Sequence, residues 1–420
     1  MGETSKIYVY ANDNKFSPIL MGVLNVDGGR AKQVLSFEFA ESWLKGDYGL
    51  VSFDPDLQIF KGRQYAPSDK AMFGIFADAS PDRWGRTLMK RREAILAKKE
   101  ERKPRTLTDV DYLLGVYDET RMGAMRFALA EGGEFLSNDK ELATPPWTTL
   151  RKLEAASIAF EKNDDGKEEK WLKQLIAPGS SLGGARPKAS VVAPDGSLWI
   201  AKFPSKYDDI NVGAWEMVVH DLACMCELDV PEAKLETFSK LGSTFLSKRF
   251  DRDGENRIHI ASAMTLLGKV DGAGSADGSS YLDIAALIRR QGANPKKDLQ
   301  ELWKRIVFNM AVSNTDDHLR NHGFVLSSEG WVLSPLYDVN PNIYGDNLSL
   351  NVDLNDSSIS FKLALSVADL FEWTMEDAEK KLENIKEIVD ENWRKLAEKY
   401  GIRRSEIENM EPAFNMSFKK

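Results

Sequence analysis

The feature that most constrains this chain is a polar segment, residues 312–324, bounded by apolar runs. It contains Asp316 and Asn321, which are five residues apart, and a second aspartate, Asp338, follows seventeen residues after Asn321. Protein-kinase catalytic machinery uses this order, because one Asp accepts the acceptor-hydroxyl proton while an Asn and a later Asp bind Mg²⁺. The spacing therefore predicts a catalytic segment held between buried elements.

A plain turn is the alternative interpretation, since Asn and Asp side chains cap turns and helices well. For Asp316 alone the turn is favoured, whereas the three residues with their spacings favour the catalytic segment. Asp317 is interpreted as a bystander. His318 is interpreted as a residue that positions the loop, and His322 as structural, because Mg²⁺ prefers oxygen ligands.

Composition sets broad limits on the class of protein. The chain has 420 residues, 42% hydrophobic and 29% charged, which is ordinary for a globular protein with two or three domains. A net charge of −9 argues against a nucleic-acid surface. The absence of a long apolar run or signal peptide predicts a cytoplasmic protein without membrane contact. Cys224 and Cys226 are interpreted as buried structural thiols on one apolar helix.

The pattern of elements predicts an α+β, two-lobed, protein-kinase-like fold. Three strand-like runs cover residues 6–10, 18–24 and 34–39, and Ser80 with Pro81 marks the start of a helix. From about residue 262 the pattern is almost wholly helical to the end, apart from the catalytic-loop region. We expect a β-rich N-terminal subdomain at 1–145, a kinase small lobe at 146–261 and an all-helical C-terminal lobe at 262–420.

A glycine-rich loop, Gly-Ser-Ser-Leu-Gly-Gly-Ala-Arg-Pro-Lys at 179–188, is a candidate phosphate-binding loop. Glycines let backbone N–H groups approach phosphate oxygens closely, although the sequence is not a Walker A motif. Lys202 ends the apolar strand that follows, where a kinase places its phosphate-binding lysine. Glu216, in the next apolar helix, is the candidate partner of Lys202, with a surface salt bridge as the alternative.

Ser180 and Ser181 lie inside this loop. Phosphorylation of either would add about two negative charges where ATP phosphates dock, so it would repel ATP and inactivate the protein. Plain loop serines are the alternative.

Several segments together resemble the HipA family of serine/threonine kinases, the toxins of bacterial toxin–antitoxin modules. The segments at 314–321 and 333–339 are similar to its catalytic and metal-binding segments, and those at 80–86 and 122–127 to its N-terminal subdomain. Three residues, at two places, differ from the family pattern. Arg186-Pro187 stands where Gln-Glu is frequent, and Lys248 stands at an acidic position of the nucleotide hinge.

The resemblance implies an ATP- and Mg²⁺-dependent protein kinase. Asp316 would be the catalytic base, Asn321 and Asp338 the Mg²⁺ ligands, and Ser181, or alternatively Ser180, the autophosphorylation site. The residues expected to bind ATP are Ser181, Gly183, Gly184, Ala185, Lys188, Lys202, Lys248, Phe250 and His318.

The resemblance also implies partners. These are a HipB-like helix-turn-helix antitoxin, through which DNA is bound only indirectly, and a protein substrate of the aminoacyl-tRNA synthetase class. Two rival interpretations stay open. One is a small-molecule phosphotransferase of the antibiotic type, and the other is a non-catalytic nucleotide-binding co-repressor.

Overall fold

The computed structural model describes residues 5–12, 18–29, 33–46, 51–137, 144–162, 175 and 184–419. The chain divides into two compact units. Unit 1 comprises Met1–Lys206 and Asp251–Ala261, and unit 2 comprises Tyr207–Phe250 and Ser262–Lys420. The three-part division expected from the sequence stays a prediction.

Unit 1 contains a five-stranded antiparallel sheet with the strand order β4-β3-β2-β1-β5. Its buried face is apolar, and the rings of Phe37 and Phe127 on this sheet each pack edge to face on the ring of Phe76. The predicted strands at 6–10, 18–24 and 34–39 are confirmed. The strands are β1 (Ser5–Ala11), β2 (Ile19–Asp27), β3 (Val34–Phe39), β4 (Gln64–Tyr65) and β5 (Met125–Ala128).

Helices and short hairpins complete unit 1. The longest helix begins at Arg83 rather than at Pro81, because the side chain of Asp82 accepts a hydrogen bond from the Gly85 N–H and caps it. The helices are α1 (Glu41–Leu44), α2 (Gly74–Asp78), α3 (Arg83–Lys99), α4 (Asp109–Gly115) and α5 (Leu150–Glu161). The hairpins are β6 (Lys188–Val192) with β7 (Leu198–Lys202), and β10 (Arg252–Asp253) with β11 (Asn256–Arg257). The chain passes into unit 2 through β12 (Ile260–Ser262).

Unit 2 is mainly helical. Its helices are α6 (Val212–Met225), α7 (Ala263–Leu266), α8 (Tyr281–Gln291), α9 (Pro295–Val312), α10 (Phe361–Ser366), α11 (Met375–Lys399) and α12 (Arg404–Phe414). Two hairpins interrupt them: β8 (Ala233–Glu236) with β9 (Thr244–Lys248), and β13 (Gly323–Ser327) with β14 (Gly330–Leu333). The β13–β14 hairpin corrects the expectation of an all-helical C-terminal lobe. Its short apolar runs pair with each other across a two-residue turn.

An aromatic stack holds three helices of unit 2 together. The Trp393 ring lies 4.6 Å from Phe414 and 6.5 Å from Trp215, so α6, α11 and α12 share one apolar contact. The buried carboxylate of Glu406 accepts hydrogen bonds from the Trp215 indole (2.9 Å) and from the Asn211 N–H (2.8 Å). The position of α6 is therefore fixed by both apolar and polar contacts.

Two findings bear on the class of protein. Over the described ranges, no helix is both long enough and apolar enough to cross a membrane. Both cysteines are free thiols, but only Cys226 is buried. The expectation of a buried Cys224 was wrong because α6 presents this position to solvent.

Candidate functional site

The predicted catalytic segment begins where α9 ends. Ser313 caps the helix in the left-handed conformation (φ 52°), and its hydroxyl donates to the carbonyl of Ala413 (2.9 Å). Asn314 then turns back onto the last turn of α9. Its N–H donates to the Asn309 carbonyl (2.8 Å) and its side-chain amide to Asn309 Oδ1 (3.0 Å). The segment therefore leaves a buried helix through fixed polar contacts.

Asp316 and Asp317 have opposite environments. Asp316 is exposed, as expected of a group that meets an acceptor. Asp317 is only 1% exposed, and its Oδ2 accepts hydrogen bonds from Tyr281 Oη (2.7 Å), Asn309 Nδ2 (2.7 Å) and His322 Nε2 (2.9 Å). The interpretation of Asp317 as a bystander in the chemistry stays a prediction, but its carboxylate is the centre of a buried network.

The charge of Asp317 is stabilised where it lies. Burial alone would raise the pKa of its carboxyl, but attraction to His322 and hydrogen bonds from His322 and Tyr281 outweigh burial. The pKa of Asp317 is therefore lowered, and the group is a carboxylate at neutral pH. Burial and the adjacent Asp317 charge raise the pKa of Tyr281 well above its ordinary value, so Tyr281 remains a hydrogen-bond donor.

Asn321 and His318 are tied to the main chain of Asp316. The Asn321 side-chain amide donates to the Asp316 carbonyl (3.0 Å), which also accepts the His318 N–H (3.0 Å). The Asn321 N–H donates to the His318 carbonyl (2.8 Å), closing a 3₁₀ turn at Leu319–Asn321. These bonds fix the spacing between Asp316 and Asn321.

The stretch that carries Asp338 runs antiparallel to the catalytic segment. The Tyr337 hydroxyl donates to the Arg320 carbonyl (2.7 Å), and the Asn342 N–H donates to the Ser313 carbonyl (3.1 Å). Asp338 lies between these two contacts and has a left-handed backbone (φ 60°), which is uncommon outside glycine. The main chain of Asp338 therefore lies alongside the segment that carries Asp316 and Asn321.

The predicted hinge residues of unit 2 have separate neighbours. The Phe250 ring lies 5.6 Å from the Tyr337 ring, one residue before Asp338. Lys248 ends β9, its N–H donates to the Glu232 carbonyl (2.8 Å), and its ammonium lies 3.8 Å from Glu232 Oε2. Phe250 is thus next to the Asp338 stretch, whereas the Lys248 side chain has an acidic neighbour of its own.

The donor set fits Mg²⁺. Asn321 uses its Nδ2 for Asp316, and in the part of the chain that the structure describes no group donates to Asn321 Oδ1. An amide oxygen and the Asp338 carboxylate are the hard oxygen ligands that Mg²⁺ prefers. Among the described residues there is no group of three or more His, Cys, Asp or Glu suited to a metal. A cation held here would need further oxygens, such as phosphate oxygens.

The predicted nucleotide residues of unit 1 lie against the start of α3. Lys188 is buried, its ammonium lies 3.1 Å from Asp82 Oδ2, and its carbonyl accepts the Trp84 indole N–H (3.0 Å). The Trp84 N–H donates to the Gly184 carbonyl (3.3 Å). Lys202 pairs in register with Lys188 across the β6–β7 hairpin. Asp82 and Trp84 thus hold the end of the glycine-rich loop.

Gly184 requires its residue type. Its φ of +95° is unfavourable for residues with a side chain, and an added Cβ would lie 3.2 Å from Lys188 Nζ. Ala185 follows it as an exposed residue. Ser180, Ser181 and Gly183 lie outside the described residues.

The structure therefore places the predicted residues in two groups. Gly184, Ala185, Lys188 and Lys202 belong to unit 1, whereas Lys248, Phe250, Asp316, His318, Asn321 and Asp338 belong to unit 2. Glu216 is buried on α6 of unit 2. Two residues to which the sequence analysis gave no role adjoin predicted site residues: Asp82 lies beside Lys188, and Asp317 directly follows Asp316. The resemblance of residues 80–86 to the N-terminal subdomain of the family pointed to the segment that contains Asp82. No local sequence pattern indicated that Asp317 is buried.

Comparison with known proteins identifies the family. The model of the HipA-like C-terminal domain matches residues 180–408, which is more than half of the chain. The chain therefore belongs to this kinase-like family, and the resemblance to HipA is confirmed.

Two relatives from Sinorhizobium fredii (strain NBRC 101917 / NGR234) bear kinase names. The chain is 31% identical over 192 residues to "Putative kinase Y4mE", covering 40% of this chain and 44% of the relative. It is 25% identical over 264 residues to "Putative kinase Y4dM", covering 59% of each. The chain thus spans about half the length of the named relatives it matches.

A solved structure confirms the fold class. The chain is similar to the solved structure of the Shewanella oneidensis MR-1 toxin–antitoxin system, a complex of HipA, HipB and its operator DNA, with a TM-score of 0.64. The match covers 97% of this chain and 96% of the other, at 16% identity. The predicted α+β, kinase-like fold with a β-rich N-terminal region is therefore confirmed.

Proposed function

We propose that this protein is an ATP- and Mg²⁺-dependent protein serine/threonine kinase. The observation that carries the proposal is the arrangement in unit 2, where Asp316 is exposed, Asn321 is bonded to the Asp316 carbonyl, and the Asp338 stretch runs alongside. Phosphoryl transfer needs mainly positioning and charge stabilisation, which fixed carboxylate and amide groups provide.

Each residue has a proposed role. Asp316 orients the acceptor hydroxyl and accepts its proton, while Asn321 and Asp338 hold the cation. Lys202 binds the α- and β-phosphates, and Glu216 orients Lys202. When bound, Mg²⁺ with ATP neutralises charge on the transferred phosphoryl group. The remaining nucleotide contacts are assigned to Ser181, Gly183, Gly184, Ala185, Lys188, Lys248, Phe250 and His318.

Regulation and partners are also proposed. Autophosphorylation of Ser181, or of Ser180, would place negative charge in the phosphate-binding loop and so switch the kinase off. The similar Shewanella HipA is in a complex with HipB and operator DNA, which supports a HipB-like helix-turn-helix antitoxin as partner. The family resemblance supports a translation protein of the aminoacyl-tRNA synthetase class as substrate, and thus a toxin role.

The test is phosphate incorporation by the purified protein with Mg²⁺ and ATP. We expect mass spectrometry to find one phosphate on Ser181 or Ser180, and Asp316→Asn to reduce incorporation by about 100-fold or more, since a positioned base contributes on the order of 10²–10⁴. Asp369→Asn is the matched control, because Asp369 is an exposed carboxylate of unit 2 outside the segment. The proposal fails if the wild type binds no ATP, or if Asp338→Ala leaves incorporation unchanged.

A further inference from the structure

One buried oxygen connects three elements of unit 2. Asp317 Oδ2 accepts hydrogen bonds from Tyr281, the first residue of α8, from Asn309 in the last turn of α9, and from His322 after the 3₁₀ turn. All four side chains are at most 1% exposed. The ring of His322 also packs edge to face on that of Tyr281, with centroids 5.7 Å apart. Water does not compete for these bonds, so they are strong constraints on geometry.

The network holds the catalytic segment at two points, Asp317 and His322. Asp317 directly follows Asp316, and His322 directly follows Asn321. Asp316 and Asn321 are therefore each joined through one peptide unit to a member of the network. Asn309 adds a second constraint, because it also holds Asn314 through its carbonyl and its Oδ1.

We propose that Asp317 is a positioning residue, which, with its donors Tyr281, Asn309 and His322, fixes the segment so that Asp316 and Asn321 keep their reactive placement. The role of Asp317 rests on the proposed kinase function. Asp317 itself is buried and meets neither acceptor nor nucleotide. Loosening the network lowers the rate of phosphate transfer, because a misplacement of about 1 Å in a positioned site reduces the rate on the order of 10²-fold.

Tyr281→Phe is the sharpest test, because it removes only the hydroxyl that donates to Asp317 and preserves the ring. Tyr281 lies thirty-six residues before Asp317, so the sequence of the catalytic segment is unchanged. We expect kcat for phosphate transfer to fall by about 10-fold, with little change in KM for ATP. Tyr400→Phe is the matched control, since it removes a hydroxyl bonded to Asp221 in the same unit and outside the segment. That variant should keep the wild-type kcat.

Substitution of Asp317 gives a second comparison. Asp317 Oδ1 has no hydrogen-bond partner within the described residues. Asp317→Asn can therefore keep an oxygen at the three donors and place its amide nitrogen where Oδ1 now lies. We expect Asp317→Asn to retain much more activity than Asp317→Ala, which keeps none of the three bonds. Equal kcat values for these two variants, or for Tyr281→Phe and Tyr400→Phe, would overturn the proposal.

Hydrogen–deuterium exchange separates this inference from the kinase proposal. We expect exchange of the amides at 314–322 to rise in Tyr281→Phe and to stay unchanged in Tyr400→Phe. Unchanged exchange in Tyr281→Phe would overturn the positioning role whatever the activity. If exchange rises but the wild-type protein transfers no phosphate, the positioning geometry stands and the proposed kinase function fails.

Discussion

The ammonium of Lys188 lies 3.1 Å from Oδ2 of Asp82, and both side chains are at most 4% exposed. This buried ion pair joins the strand after the glycine-rich loop to the start of α3. The geometry at Asp82 Oδ2 is not that of a hydrogen bond. The two side chains therefore stabilise unit 1 mainly through the attraction between their charges.

Lys188→Met should destabilise unit 1, because it removes the buried ammonium that lies 3.1 Å from the buried Asp82 carboxylate. Breaking a buried pair in this way typically costs about 3–5 kcal/mol. Urea unfolding followed by circular dichroism measures the change. Lys45→Met is the control, because Lys45 pairs with Glu41 on the surface and such pairs contribute little. Equal midpoints for the two variants would contradict a stabilising Lys188–Asp82 pair.

Asp316 and Asp317 should differ in their effects on stability. Asp317→Ala removes the acceptor of three buried donors and should lower the free energy of unfolding by about 3–5 kcal/mol. Asp316→Ala removes an exposed carboxylate and should leave the free energy of unfolding nearly unchanged. Chemical denaturation of both variants provides the comparison. A loss in Asp316→Ala as large as in Asp317→Ala would show that the two carboxylates are equally structural.

His259 should make unit 1 sensitive to acid. It is buried beside the Phe53 ring, and burial lowers its pKa from 6.5 to about 4. Between these values the unfolded chain binds a proton that the folded chain does not, so stability is complete above pH 6.5 and is lost as pH falls towards 4. The loss amounts to about 3 kcal/mol.

The measurement for His259 is the free energy of unfolding at pH 7 and at pH 4.5. His259→Gln cannot titrate, so its difference between the two pH values should be smaller than that of the wild type. The slope with pH decides the outcome, because the substitution itself shifts stability at both values. Parallel curves for wild type and variant would rule out this role for His259.

Lys202 and Glu216 are expected to act as a pair. Lys202→Ala and Glu216→Ala should each reduce phosphate transfer, and the double variant should be no worse than the more severe single one, because a broken pair cannot be broken twice. The rate measured in a double-mutant cycle is the test. Glu387→Ala, on the exposed face of α11, is the control and should combine additively with Lys202→Ala. Additive losses for Lys202 and Glu216 would count against the pair.

The sequence predicted most where the signal was local. Period-two alternation placed β1, β2 and β3 correctly. The spacing of Asp316, Asn321 and Asp338 was also informative, because the structure holds the segment of Asp316 and Asn321 beside the stretch that carries Asp338. The roles of these residues remain a prediction. The helix start was displaced from Pro81 to Arg83, because the choice between neighbouring caps depends on the Asp82–Gly85 hydrogen bond.

What the sequence could not supply was the direction of side chains set by distant partners. Asp317 turns inward because Tyr281, Asn309 and His322 offer donors there, and Tyr281 is thirty-six residues away. The same applies to the cysteines. Helical periodicity does not distinguish Cys224 from Cys226 until the neighbours of α6 are known, and only Cys226 meets the core.

The aromatic stack of unit 2 gives the protein an intrinsic optical reporter. Trp215 and Trp393 lie 6.5 Å apart with ring planes 30° from parallel, close enough for their electronic transitions to couple. Trp215 immediately precedes Glu216, so the near-ultraviolet circular dichroism of this indole pair follows the helix that carries the proposed lysine partner. We therefore expect a nucleotide that shifts this helix to change the circular dichroism of the pair, without any added label.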